Sequence, residues 1–191
     1  AVAQRTRLPV AILELTQGAS GFLAVLDPAG FLADPPDAYT LATQGGEPAG
    51  WQRGRTELTV VPMDGRQGAL LTAGDCTALL ARLRAGHALT VVDAVQPHAL
   101  WPAVQAAADR IFVVAAADRP DTVANAQMLA GEQDDPRVAV VINQAGRLDR
   151  LASRVAQPER PLIAIPRRPA IARYADPLPA LTAAIWPGIR F

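Results

Sequence analysis

The stretch Leu89 to Leu129, LTVVDAVQPHALWPAVQAAADRIFVVAAADRPDTVANAQML, decides the fold. It opens on Leu89-Thr90-Val91-Val92-Asp93, a short apolar run that ends in a carboxylate. A helical stretch follows from Trp101 to Ala108, with Pro102 suited to a first helical turn. A second apolar run, Ile111-Phe112-Val113-Val114-Ala115, comes next. Then Asp121 to Ala130 carries Val123, Ala126, Met128 and Leu129 on a helical pattern, and Gly131 marks its end. Neither apolar run alternates with polar residues. Strands that are apolar on both faces belong to a parallel sheet covered by helices.

The same pattern extends outward. Pro9 to Leu15 is an apolar run interrupted near its end by Glu14, and Leu58 to Pro62, Val138 to Asn143 and Leu162 to Ile165 are three more. Cys76 to Arg84 carries Leu79, Leu80 and Leu83 at helical spacing, with Asp75 as its expected N-cap. Arg147 to Val155 and Pro179 to Ile185 are shorter helical stretches. Strands alternating with helices predict an α/β fold: a doubly wound, mostly parallel sheet with helices on both faces. A length of 191 residues predicts one domain, spanning 1–191, that buries roughly 70% of its unfolded surface. Phe31 to Arg55 stands apart: Pro35-Pro36, Gly45-Gly46, Pro48, Gly50 and Gly54 read as a long, partly irregular connection, either disordered or a functional loop.

Composition narrows the function classes. Eighteen basic and eighteen acidic residues cancel, which gives no electrostatic reason to expect nucleic acid or an anionic membrane as partner. No apolar run reaches the ~20 residues of a membrane helix, so no transmembrane segment is expected. Cys76 is the single cysteine, which rules out an intrachain disulfide and suits a reducing, cytoplasmic setting. With only His87 and His98, and no HExxH or CxxC spacing, a zinc site has too few ligands. Every basic residue is arginine. A P-loop uses lysine as a compact point charge, whereas arginine presents a planar fork, so these residues alone cannot run P-loop chemistry.

Ligands of open parallel sheets bind at the carboxyl ends of the strands, which singles out Glu14, Asp93, Asp118 and Asn143. A carboxylate at the place of Asp93 either holds Mg²⁺, directly or through water, or caps the next turn. The amide of Asn143 either reads an adenine edge through its donor and acceptor groups or serves the turn Asn-Gln-Ala-Gly. Gln17-Gly18-Ala19-Ser20-Gly21 matches neither GxxxxGK[ST] nor GxGxxG, and is a tight turn before it is a phosphate cradle. Arg167-Arg168 reads as a solvated loop or as a contact for phosphate or carboxylate, and Asp134-Asp135-Pro136 as a turn. Trp51, Trp101 and Trp186 read as packing residues.

Taken in order, these segments resemble the MinD/ParA group of deviant-Walker ATPases, and within it the CpaE/TadZ type found with tight-adherence pilus machinery. The stretch from Leu89 to Leu129 carries the resemblance, with its strand ending in Asp, Pro-containing loop, helix, "AD" and second strand. PVAILELTQGASGFLAVLD, LTVVPM, VAVVINQAG and PLIAIPRRPAIARYAD resemble further family segments, so the likeness runs from Pro9 to Asp176. No single motif is diagnostic; the ordered set is. The resemblance implies a P-loop NTPase-like fold, Asp93 as the switch acid near Mg²⁺, Asn143 as the adenine contact and Glu14 at the acidic strand-end position. It also implies a homodimer, with a place at a cell pole or membrane periphery reached through protein partners.

The departures carry weight too. The family's first strand and P-loop would lie before residue 9, and the chain begins at Ala1, so a removed upstream segment, with or without a receiver-like domain, is expected. The strand-end acid is Glu14 rather than Asp, and the switch reads DAVQP without the usual glycine. Three functions remain. One is a degenerate, non-hydrolysing localisation or assembly factor for a pilus or secretion apparatus, with no cofactor. Another is the C-terminal portion of an active ATPase, with ATP and Mg²⁺ as cofactors and its P-loop upstream. The third is a small α/β enzyme acting on a nucleotide or sugar in a pocket of Glu14, Asp93 and Asn143.

Overall fold

The computed structural model describes residues 8–15, 35–48, 50–53, 56–63, 68–94, 99–116, 124–126, 128, 135–145 and 162–166, with backbone alone at 51–53, 56, 143–145 and 162–166. They belong to two compact units, Val2–Ala108 and Asp109–Phe191, and each is described by itself.

The first unit is organised around β1, Val10–Leu15, all six residues of which are buried. It pairs in parallel with β3 (Thr56–Val61) on one side and β4 (Leu89–Ala94) on the other. A short strand, β2 (Gly50–Arg53), adds antiparallel to β3, giving the order β2-β3-β1-β4. Successive side chains of a strand alternate between faces. Ala11, Leu13 and Leu15 therefore share one face, and they pack in a single core cluster with Val61, Met63, Cys76, Leu79, Leu80, Leu83, Leu100, Ala103 and Val104. Val10, Ile12 and Glu14 occupy the opposite face and are buried as well. Burial on both sides is what the apolar pattern of this strand, interrupted by Glu14 alone, requires.

The helical layer consists of α1 (Ala38–Thr43), α2 (Ala73–Gly86) and α3 (Trp101–Ala107). α2 begins earlier than the leucine spacing indicates. Its N-cap is Thr72, not Asp75: the Asp75 N–H donates to the Thr72 hydroxyl at 3.2 Å while the Thr72 N–H donates to the Asp75 carboxylate at 3.1 Å. This is a capping box, with the acid three residues inside the cap rather than at it. Leu79, Leu80 and Leu83 enter the core as their spacing predicts.

Arginines of α2 tie the layer together sideways. Arg82 donates to the carbonyls of Leu41 and Gly46, at the end of α1, and Arg84 donates to the Ala107 carbonyl at the end of α3, 2.5 Å away. Helix carboxyl ends carry unpaired carbonyls and partial negative charge, so guanidinium groups suit them. At the end of α2 itself, the His87 Nδ1–H donates to the Leu83 carbonyl at 2.9 Å. Its Nε2 forms a second hydrogen bond with the Thr59 hydroxyl, 2.8 Å away, joining the helix to β3. The Ala88 N–H next donates to the Pro9 carbonyl at 3.0 Å, which sets β4 beside β1.

The region read from sequence as an irregular connection thus contains a helix and a strand. Asp37 caps α1 by accepting from the Thr40 N–H at 2.8 Å, and Ala38 and Leu41, three apart, supply its buried side. Gly45 and Gly46 follow with φ of 77° and 98°, the left-handed conformation that ends helices and favours glycine.

The second unit holds β5 (Ile111–Ala116), β6 (Val138–Ala145) and β7 (Leu162–Pro166), paired in parallel in that order. A tight turn leads into β6. Asp135 accepts from the Arg137 N–H at 2.9 Å and from its guanidinium at 2.7 Å, and the Ile111 N–H donates to the Arg137 carbonyl at 3.0 Å. Of the expected helix over Asp121–Ala130, residues 124–126 and 128 are described and are helical. The helices expected at Arg147–Val155 and Pro179–Ile185 lie outside the described residues. The architecture is α/β, with mostly parallel sheets flanked by helices; among the described strands β2 alone runs antiparallel.

Removing the α2 cap tests this account. Thr72→Ala is expected to lower stability by about 1 kcal/mol in urea unfolding. The Thr72 hydroxyl and N–H hold the Asp75 carboxyl below the usual carboxylate range. Its contribution is therefore full above the unfolded value of about 3.9 and is lost as pH falls through the lowered folded value. The stability gap between the wild type and Asp75→Asn should shrink across that acid window, and a gap that widens there contradicts the capping box.

Candidate functional site

The parallel strands β1, β3 and β4 end on the same side of the first sheet, and the two acids singled out from sequence meet there. Glu14 of β1 and Asp93 of β4 are direct register partners. Parallel neighbours in register point to the same face, and adjacent strands lie about 4.8 Å apart. That face is opposite the one formed by Leu13 and Val92, which pack toward the helical layer.

The two acids differ in access. Glu14 is 2% exposed, whereas Asp93 is exposed. Strand position explains the difference. β1 is flanked on both sides, while β4 pairs with β1 and with no other strand among the described residues. Val91, two residues before Asp93 and on the same face, is 39% exposed. The apolar run LTVV predicts burial on both faces, and this face of β4 departs from that expectation.

One exposed carboxylate with a sealed neighbour makes a limited metal site. No group of three or more His, Cys, Asp or Glu side chains among the described residues is placed to hold a metal ion. Mg²⁺ keeps several waters and commonly takes one or two protein carboxylates together with substrate phosphates. Among the described residues, this strand end would offer Mg²⁺ one accessible carboxylate, Asp93, which suits an ion that arrives on a phosphate.

Asn143 sits on β6 in the second unit, paired in register with Ala116; its side chain lies outside the described residues. Gln17 to Gly21, the Val95 to Pro97 part of the DAVQP switch, His98, Asp118, Asp134, Arg167-Arg168 and Trp186 also lie outside them, as does the side chain of Trp51. Trp101 packs against the core, as a structural residue does. Cys76 is fully buried, and burial pushes its thiol up, away from the reactive thiolate. The register that pairs Glu14 with Asp93 has no local signal, because it joins positions about 80 residues apart.

Comparison with known proteins adds to this geometry. No protein-family model matches the chain, and no curated protein matches it by sequence. Solved structures do match by shape. A ParA family ATPase from Chlorobium tepidum aligns with a TM-score of 0.63 at 14% identity, over 87% of this chain and 75% of that one. A chain of the MinC–MinD cell division protein complex of Aquifex aeolicus aligns with a TM-score of 0.67 at 14% identity, over 87% and 72%. MinD from Pyrococcus horikoshii, complexed with Mg-ADP, gives 0.64 at 12% identity over the same shares. The chain has the MinD/ParA fold. The MinD/ParA fold agrees with the predicted α/β architecture; at such low identity fold is what the likeness establishes, and function does not come with it.

Two measurements check the site. Asp93→Asn should change unfolding stability by no more than about 0.5 kcal/mol, as exposed substitutions do. Glu14→Ala, in a buried position, should cost about 1–3 kcal/mol, and equal effects would show that the two acids do not differ in burial. The Cys76 thiol should react with an aromatic disulfide reagent only once denaturant opens the core; immediate reaction of the native protein contradicts its burial.

Proposed function

We propose that this domain is a degenerate MinD/ParA-like module of the CpaE/TadZ type, acting as a localisation or assembly factor for a pilus or secretion apparatus without hydrolysing nucleotide. One observation supports it above others: the acid at the family's strand-end position is Glu14 rather than Asp, and the switch reads DAVQP without the usual glycine. Phosphoryl transfer depends on neutralising phosphate charge, normally by lysine and Mg²⁺ together. The sealed Glu14 supports the same reading, since a carboxylate without access to solvent is poorly placed to organise a hydrated metal ion. The module then works through protein contacts, as a homodimer positioned by its partners at a cell pole or membrane periphery. No helix among the described residues is long and apolar enough to cross a membrane.

The edge of β4 that has no strand partner among the described residues favours a second reading. A strand as apolar as LTVV in that position suits a sheet completed by a segment outside the described residues, and an ATPase whose first strand and P-loop lie upstream would supply one. In that case Asp93 would contact Mg²⁺ and Asn143 the adenine of ATP. Titration calorimetry of the full natural protein with Mg-ATP separates the two. The degenerate module is expected to give no binding heat and no phosphate release. Micromolar binding that Asp93→Asn weakens would overturn it in favour of the ATPase.

A further inference from the structure

We draw no further inference here: the strongest candidate, the edge of β4 that has no strand partner among the described residues, with Val91 exposed beside Asp93, carries nothing because nothing in the structure shows what covers it.

Discussion

Complete burial of β1 is the constraint that organises the first unit. Six consecutive buried residues require a hydrogen-bonded neighbour on each edge and cover on each face. β3 and β4 supply the edges, and the cluster around Leu13, Leu79 and Leu83 supplies one face. An unpaired backbone group here would cost as much as a lost hydrogen bond or more. The connection from β3 must therefore pass across β1 to reach β4, and the fourteen-residue helix α2 makes that passage. Its leucines fill the core from above, so the crossover and the core are one element.

Most of this was legible because burial on both faces leaves a clear trace. The six apolar runs read as strands are all strands, with ends shifted by one or two residues. The leucine spacing locates α2, yet the sequence offers Asp75 as its cap because Asp is as good a cap as Thr. The choice between them is made by the reciprocal bonds to Thr72, and a sequence does not display these. α1 and β2 were obscured for another reason. Each is short, each lies among glycines and prolines, and each is held by tertiary contacts rather than by propensity, α1 by the Arg82 bonds to Leu41 and Gly46 and β2 by its pairing with β3. For the candidate site, the residue types at the strand ends were visible, but the pairing of Glu14 with Asp93 and their unequal access depend on strand order, which has no local signature.

The absence of lysine looks different once the arginines have places. Arg82 and Arg84 direct their guanidinium groups to helix-end carbonyls, and Arg137 grips Asp135 at the entry to β6. These are structural uses that reward a planar fork over a point charge. Arginine substitutes well for lysine in such roles and poorly in a phosphate cradle. An all-arginine composition is thus compatible with the fold while bearing on the chemistry.

The order of the first sheet also has a consequence in time. β1 leaves the ribosome before its neighbours exist: Val10 pairs with Leu58, and again with Leu89 about 80 residues later. At ordinary elongation speeds that interval lasts roughly 4 to 16 seconds. Throughout it, a strand apolar on both faces waits for its second edge. Sheets closed by such distant pairings fold slowly and remain open to wrong partners meanwhile. Synthesis rate and chaperone supply, rather than the finished protein's stability, would then set how much of this domain a cell obtains.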